Sequence, residues 1–247
     1  MTLERSRGSL AQVAGTLTMR CDAKQTQTRF MELDVRLSKT RTTRLSTFLP
    51  EPLVKGKQPV YLEDPEGDDF CFVVSTLAVQ SLRINAKDCR YSPAEFYESV
   101  GKSRQLADGD IVLTMDGGTS IGKVAVFSRD KFAKELDLEP EDLRVTVDSH
   151  VAILRPRGIS PLALAYLLAS PIGQLQFQRA ESGASGQTAV TEDDVRYFRF
   201  PRFDPGKLDK AVEDLSQSLE VVQQLLSAAE QRKSAAWDRF EENLASD

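Results

Sequence analysis

The chain has 247 residues, of which 40% are hydrophobic and 28% are charged. This composition excludes a disordered chain, a collagen-like fibre and a polytopic membrane protein. No apolar run approaches the roughly 18–20 residues that a membrane span needs. Because residues 1–20 carry charges at Glu4, Arg5 and Arg7 with no apolar block after them, we expect no signal peptide and a cytoplasmic location.

The net charge is −5, and a negative balance by itself argues against a nucleic-acid-binding domain, which usually carries a basic surplus. The charge is distributed unevenly along the chain. Residues 1–60 contain 11 basic and 5 acidic side chains, residues 61–204 contain 16 and 23, and residues 205–247 contain 5 and 9. The basic charge is therefore concentrated in the first quarter of the chain.

A short amphipathic helix is predicted near the start of the chain. Asp22 is a suitable N-cap residue, and Phe30, Leu33 and Leu37 then fall on one face of a helix. Residues 45–56 contain two prolines and are predicted to form an irregular approach to the main domain.

From about residue 56 to residue 201 the pattern changes to short strands and loops. An Asp-Gly-Gly sequence at residues 116–118, between two apolar runs, predicts a β-hairpin. The predicted strands lie at residues 70–74, 111–115, 123–127, 145–147 and 150–154.

Short helices and a final edge strand complete this region. Residues 160–169 are predicted as an apolar helix with a serine N-cap and a proline at its first position, and a second helix begins at Pro171. Residues 182–188 are predicted as a loop of small residues. Residues 191–194 have the pattern of a capping box, and residues 197–201 that of an edge strand closed by proline.

The last part of the chain contains no proline or glycine after residue 206. Its apolar residues recur at alternating intervals of four and three, which is the a/d pattern of a coiled coil. We predict one helix of about 35–40 residues, which must bury its apolar stripe against another long helix or against the globular domain. The N-terminal helix is shorter and would leave part of the stripe uncovered. The predicted seam consists of Leu208, Val212, Leu215, Leu219, Val222, Leu226, Ala229, Ala236 and Phe240.

No catalytic or metal centre is predicted. The three cysteines, Cys21, Cys71 and Cys89, are spaced too widely for a C-x-x-C pair, and His150 is the single histidine. The glycine-rich residues 117–122 lack the Gly-Lys-Ser/Thr ending of a P-loop, and no G-x-G-x-x-G sequence follows a strand. We therefore expect no catalytic residue, no metal and no cofactor on this chain.

Four loop segments are rich in hydroxyl, amide and basic side chains, which are the residue types that contact phosphates and base edges. Each segment by itself is an ordinary surface loop, whereas four on one domain indicate nucleic-acid contact. The candidate DNA-binding residues are Lys102, Ser103, Arg104, Thr119, Ser120, Lys123, Ser149, His150, Ser185, Gln187 and Thr188.

Taken in order, several segments resemble a target recognition domain of the specificity subunit of type I restriction-modification systems. The resemblance covers most of the chain, although residues 41–45 have no counterpart in the family pattern. Residues 20–23 resemble its Arg-x-Asp-Ala opening, residues 106–112 its Leu-x-x-Gly-Asp-Ile-Leu strand with a final Val, residues 118–125 its Gly-x-x-x-Gly-Lys-x-Ala hairpin, residues 166–174 its Tyr-Leu-x-x-Ser-x-x-Gly-Gln helix pair, residues 183–187 its Gly-x-x-Gly-Gln segment, residues 191–195 its Ser/Thr-x-x-Asp-Leu turn and residues 200–201 its closing proline.

The resemblance implies an α+β fold: a mixed or antiparallel β-rich recognition domain with short helices, followed by a long C-terminal coiled-coil helix. The expected parts are a basic N-terminal segment with its helix (1–44), the recognition domain (45–204) and the spacer helix (205–247). In the family this domain reads one half of a bipartite DNA target, and the spacer docks the methyltransferase subunit. The chain has room for one domain and one spacer where the family usually has two of each, so we expect a half-size subunit.

The resemblance therefore implies a non-catalytic DNA-recognition subunit of a restriction-modification or related phage-defence methylation system. Its expected partners are double-stranded DNA, a separate adenine methyltransferase that binds S-adenosylmethionine, a restriction or motor subunit, and a second copy paired through the helix. Neither of the two asparagines lies in an Asn-Pro-Pro-aromatic motif, so the chain itself is not expected to methylate DNA. An alternative left open is an assembly protein that oligomerises through its C-terminal helix and does not bind DNA.

Overall fold

The computed structural model describes residues 23–63, 65, 67, 69–184 and 187–244. The chain divides into two compact units, Met1–Pro205 and Gly206–Asp247. The first unit mixes short helices with small sheets, and the second consists of one long helix, so the fold is of the predicted α+β class.

The described part of the chain contains thirteen strands and seven α-helices. The strands are β1 (Thr42–Arg44), β2 (Val54–Lys55), β3 (Phe70–Val74), β4 (Val79–Gln80), β5 (Arg83–Ile84), β6 (Arg90–Pro93), β7 (Ile111–Thr114), β8 (Val124–Val126), β9 (Val145–Val147), β10 (Val151–Leu154), β11 (Ser182–Ala184), β12 (Gln187–Ala189) and β13 (Arg199–Pro201). The helices are α1 (Thr28–Ser38), α2 (Ala94–Val100), α3 (Arg129–Leu136), α4 (Pro161–Ala169), α5 (Pro171–Ala180), α6 (Glu192–Tyr197) and α7 (Pro205–Leu244).

Two sheets form the centre of the first unit. One has the strand order β2-β10-β7-β8 and is antiparallel throughout, and the other has the order β6-β3-β9, in which β3 and β9 are parallel. Strands β7 and β10 are buried at every position because side chains from both of their faces enter apolar surroundings. The two sheets share one core, which includes Phe72, Val112, Phe127, Val145 and Ile153.

Two of the predicted helix starts in this unit, at Ser160 and at Thr191, are confirmed. The Ser160 hydroxyl accepts a hydrogen bond from the Ala163 N–H at 3.1 Å, so it caps α4 at its Ser-Pro start. At the start of α6, Thr191 and Asp194 form the reciprocal capping box, with Asp194 in the position that glutamate usually occupies. These contacts satisfy N–H groups that would otherwise lack a partner at the helix ends.

An ion pair joins the start of β7 to the end of β10. The Arg155 guanidinium donates from Nε and Nη2 to the two carboxylate oxygens of Asp110, at 2.8 and 2.7 Å. Nη1 of Arg155 also donates to the Ser103 carbonyl at 2.9 Å, and the Asp110 carboxylate accepts from the Ala107 N–H at 3.1 Å. Asp110, the aspartate of the predicted Leu-x-x-Gly-Asp-Ile-Leu segment, therefore has a structural role, because it joins β7 to the residue that follows β10.

The structure differs from the expectations at several points. Within residues 45–56, expected to be irregular, Val54–Lys55 form strand β2, and Tyr197, expected in the edge strand, belongs to α6. Residues 182–188 were expected to be a loop, but β11 and β12 pair as an antiparallel hairpin, because small residues allow close backbone pairing and β12 is held against Asp116 by a bridge at Ala189. The last core strand starts at Val151, so His150 lies in the preceding turn. Helix α1 has the predicted buried face but begins at Thr28 after a 3₁₀ turn, and its predicted cap, Asp22, lies outside the described residues.

The second unit is one helix, α7, which spans 40 residues and confirms the predicted long helix. At 1.5 Å per residue it is about 60 Å long. Many of its apolar side chains are exposed, including Leu219, Val222, Leu226, Trp237 and Phe240. Of the seam residues nearer its start, Val212 is buried and Leu208 is half-buried. Pairing of this helix as a coiled coil stays a prediction.

Two further findings concern the described residues. No helix among them combines the length and the apolar character that a bilayer span requires. Cys71 and Cys89 are free and buried, and burial raises the pKa of the Cys71 thiol to about 11 and that of the Cys89 thiol further still. Both thiols therefore remain protonated and unreactive at neutral pH.

Candidate nucleic-acid interface

Several loops meet at one end of the antiparallel sheet. Strands β7 and β2 end there, and β8 and β10 begin there, because neighbouring strands in this sheet run in opposite directions. We call this region the hairpin end and define it as residues 56–61, 115–123, 148–150 and 187–189. The last of these joins through the Gly117 N–H, which donates to the Thr188 carbonyl at 3.3 Å.

The β7–β8 loop has a fixed conformation. Gly117, Gly118 and Gly122 all have positive φ, at 103°, 60° and 81°, a region that residues with a side chain rarely adopt. The Gln174 amide donates to the Gly122 carbonyl at 3.0 Å, and a β-carbon added at Gly122 would lie 2.8 Å from the Phe177 ring. Helix α5 therefore holds one side of the loop that carries the predicted contacts.

Asp116 lies between two basic side chains at the hairpin end. One carboxylate oxygen accepts from Lys55 Nζ at 3.1 Å, and the other contacts Nδ1 of His150. The side chain of His150 remains 54% exposed, so the ring is anchored at one edge and open to solvent at the other. An imidazole held in this way presents a hydrogen-bonding group from a defined position.

A second carboxylate, Asp148, is buried beneath the turn. It accepts from the His150 N–H at 2.9 Å and from the Tyr61 hydroxyl at 3.4 Å. The Arg90 guanidinium lies over the Tyr61 ring, 3.3 Å from its centroid. Burial raises the pKa of Asp148, and the negative charge of Asp116 raises it further, while the hydrogen bonds oppose the shift.

We expect Asp148→Asn to change how stability depends on pH. Folding raises the pKa of Asp148. The contribution of this carboxyl group to the free energy of unfolding is therefore greatest in acid and is lost as pH rises through the folded pKa. The free energy of unfolding of the variant should therefore improve relative to wild type as pH rises above 3.8, the ordinary pKa of an aspartate. Urea unfolding at a series of pH values measures the difference, with the exposed Asp142→Asn as control. A difference that stays constant with pH would contradict this assignment.

Most of the remaining predicted residues lie at the same end. Ser149 donates to the Gln58 side chain at 2.9 Å, and Thr188 donates to Glu181 at 2.6 Å, so both hydroxyls are engaged. Thr119 is exposed, whereas Ser120 and Lys123 are half-buried. Gln187 belongs to β12, and Ser185 lies outside the described residues.

Lys102, Ser103 and Arg104 form a separate 3₁₀ turn beside β2. The Arg104 guanidinium donates to the main-chain carbonyls of Lys55 at 2.9 Å and Val100 at 3.5 Å. Arg104 is thus occupied in holding the edge strand, while Lys102 and Ser103 are exposed. The Ser103 carbonyl of this turn accepts from Arg155, which follows β10, whereas Arg104 contacts Lys55 at the end of β2, beside the hairpin end.

The sequence reasoning did not identify Tyr61 and Asp116 as members of this region, or Lys55 and Arg90 as the basic residues that contact them. Lys55 lies at the end of the segment interpreted as irregular, residues 45–56, and Asp116 was interpreted only as a turn residue. Nothing in their local sequence indicates that Lys55 contacts Asp116, that Tyr61 contacts Asp148 or that Arg90 lies over Tyr61, because each contact joins segments far apart in the chain.

The described residues contain no group of three or more histidine, cysteine, aspartate or glutamate side chains placed to hold a metal ion. The arrangement at the hairpin end consists of paired acidic and basic groups, small hydroxyl residues and exposed backbone. Such groups form hydrogen bonds with a ligand.

No protein-family model and no curated protein matches the chain. Among solved structures, the chain is similar to one described as "Structural basis underlying complex assembly and conformational transition of the type I R-M system" (14% identity, TM-score 0.45, 87% of this chain and 50% of that one). It is also similar to a type I restriction-modification S subunit from M. genitalium (13%, 0.47, 76% and 41%) and to the HsdS subunit from Thermoanaerobacter tengcongensis (15%, 0.47, 75% and 43%). The chain spans half or less of the length of each of these proteins.

Proposed function

We propose that this chain is a sequence-specific DNA-recognition subunit of a restriction-modification or related methylation system, and that the hairpin end contacts DNA. The observation that carries the proposal is that residues of two loops and of β12 meet at one end of the antiparallel sheet, namely Thr119, Lys123, Ser149, His150 and Thr188. The order of the sequence segments that resemble a recognition domain supports the same function.

Recognition by this surface would use hydrogen bonds between loop side chains and base edges. One well-placed bidentate contact contributes about 1–3 kcal/mol of discrimination against a wrong base. The imidazole of His150, which Asp116 anchors, and the exposed hydroxyl of Thr119 are the best-positioned groups for this role. The contacts of Gln174 and Phe177 with Gly122 hold this loop against helix α5, which reduces the conformational freedom that it loses when it binds.

The proposal assigns methyl transfer to another protein. A separate adenine methyltransferase would bind S-adenosylmethionine and dock on α7, whose exposed apolar residues include Leu219, Val222 and Leu226. A restriction or motor subunit would extend the complex, a second copy of this chain would supply the second half-site, and all would act in the cytoplasm beside the DNA. Exposed apolar side chains on one long helix are the surface that such a partner helix needs.

Selection from a random duplex pool tests the function. We expect the chain, with its methyltransferase, to enrich one sequence, and we expect His150→Ala to weaken binding to that sequence by about 10-fold while leaving non-specific binding unchanged. Band shifts of the selected duplex and of an unrelated duplex measure both quantities. The matched control is Lys131→Ala, an exposed residue on α3, which begins at the opposite end of the sheet.

Two results would reject the proposal: a pool from which no sequence is enriched, or a purified chain that transfers methyl groups without a partner.

A second candidate function is an assembly protein that oligomerises through α7 and does not bind DNA. The exposed apolar side chains of α7 favour it, as does the acidic balance of residues 61–204. The two functions differ in one measurement. Leu219→Asp with Leu226→Asp should abolish self-association in sedimentation under this function, and His150→Ala should have no effect on any partner.

A further inference from the structure

Two strands far apart in the sequence bring four arginines together. Strands β1 and β13 pair antiparallel, with Arg44 directly opposite Arg199. At the other end of the pair, the Arg202 N–H donates to the Arg41 carbonyl at 2.7 Å, so these two residues lie side by side. We call residues 41–44 and 199–202 the arginine ribbon. Its first strand is the segment that has no counterpart in the family pattern.

Like charges opposite each other in a sheet destabilise it, so the partners of these arginines matter. Arg199 contacts Asp34 at 3.4 Å, but that carboxylate also accepts two bonds from Arg179 at 2.9 Å. Arg44 is exposed, and its guanidinium carbon lies over the Tyr197 ring, 5.2 Å from the ring centroid. In the part of the chain that the structure describes, the exposed residues Arg41 and Arg202 make no ion pair.

The surroundings of the ribbon add to its positive charge. Residues 28–44 carry five basic and two acidic side chains, and residues 196–204 carry three basic and one acidic. The two segments therefore bear +3 and +2, in a chain whose net charge is −5. The fold concentrates positive charge here because α1 and β1 pack beside β13.

Contacts with DNA divide into those that read bases and those that hold the phosphate backbone. The cations of the hairpin end are Lys57 and Lys123, and the neighbouring Lys55 is paired with Asp116. The hairpin end contains no arginine, so the arginine ribbon offers guanidinium groups that this surface lacks. One planar guanidinium group can bind two phosphate oxygens at once. The exposed aromatic ring of Tyr197 lies beside the guanidinium group of Arg44.

We propose that the arginine ribbon binds backbone phosphates of duplex DNA and supplies sequence-independent affinity, separate from the base contacts of the hairpin end. This inference rests on the proposed function, since it needs a chain that binds DNA. Duplex DNA carries about one negative charge per 1.7 Å of its axis, a density that suits closely spaced arginines.

The test is the salt dependence of duplex binding by Arg41→Gln with Arg202→Gln in the full chain, measured together with the methyltransferase used in the selection. Fluorescence anisotropy between about 50 and 200 mM salt gives the slope of the logarithm of affinity against the logarithm of salt concentration. We expect the slope to become shallower by about two, because each substitution removes one guanidinium that neutralises a phosphate. Affinity should fall by the same factor for a selected and for an unrelated duplex, so the sequence preference stays that of wild type.

The matched control is Lys131→Gln with Lys134→Gln, which removes two charges from exposed positions on α3 and should leave the slope unchanged. Circular dichroism and thermal melting check that the ribbon variant is folded, as expected for exposed side chains whose main-chain bond is retained.

If wild type binds duplex and the ribbon variant shows the wild-type slope, the inference is overturned and the proposed function stands. If the ribbon variant loses binding to an acidic protein but not to DNA, the ribbon is a protein-docking surface and the inference is also overturned. If wild type binds no duplex at any salt concentration, the proposed function fails and the inference fails with it.

Discussion

Replacing Arg155 with alanine is expected to lower the free energy of unfolding by about 3–5 kcal/mol. The reason is the partner that remains, since Asp110 is only 5% exposed and would keep a buried carboxylate without its guanidinium. Asp110→Ala should cost less, because the Arg155 side chain is 32% exposed and water can solvate it once the carboxylate is gone. Urea unfolding of both variants measures the two losses.

The double variant gives a sharper test of the same contact. Adding Asp110→Ala to Arg155→Ala removes the unpaired carboxylate, so the double variant should be more stable than Arg155→Ala alone. The exposed pair between Glu51 and Arg157 serves as control, and Glu51→Ala should change stability by less than about 1 kcal/mol. A loss of under about 1 kcal/mol for Arg155→Ala would show that this ion pair does not hold β7 to β10.

The second large effect is expected at the β7–β8 loop. Gly122→Ala should destabilise the protein by about 2–5 kcal/mol, because a left-handed backbone costs alanine about 1–2 kcal/mol and overpacking costs about 1–3 kcal/mol more. The overpacking arises at Phe177, a buried ring that packs edge-on against Phe198 at 4.8 Å and cannot easily move. Thermal or urea unfolding measures the loss. Because this loop carries Thr119 and Ser120, DNA binding should weaken as well.

Gly118→Ala is the matched control for that prediction. Its φ is also positive, at 60°, but a β-carbon added there meets nothing within 4 Å. It should therefore show only the backbone cost of about 1–2 kcal/mol. Equal losses for the two variants would mean that Phe177 does not constrain the loop.

Local sequence patterns predicted many of the elements well. The helix start at Ser160, the capping box at Thr191 and the β7–β8 hairpin each depend on a few neighbouring residues, so the chemistry that forms them is visible in the sequence. The same holds for α7, whose heptad pattern extends over many turns. The β11–β12 hairpin was missed because its small residues carry no strand pattern, and its pairing is supported by contact with Asp116 and Gly117.

The sequence predicted the types of residue in the candidate site but not which of them lie together in the folded protein. The hydroxyl and basic residues of three loops were identified from composition, yet their meeting at the hairpin end depends on the antiparallel order of β2, β10, β7 and β8. The ion pairs of Asp116 and the burial of Asp148 have the same origin. For Arg104 the sequence predicted DNA contact, whereas the fold directs its guanidinium to two main-chain carbonyls.

The sequence by itself determined the long C-terminal helix and the helix starts at Ser160 and Thr191, because these depend on periodicity and on interactions between residues a few positions apart. Only the tertiary structure decided which charges are neighbours. Arg44 lies opposite Arg199, and Asp116 lies between Lys55 and His150, through strand pairings that join residues from 34 to 155 positions apart. A chain with a net charge of −5 therefore has a concentrated basic ribbon, because pairing in space, and not position along the chain, sets the local field.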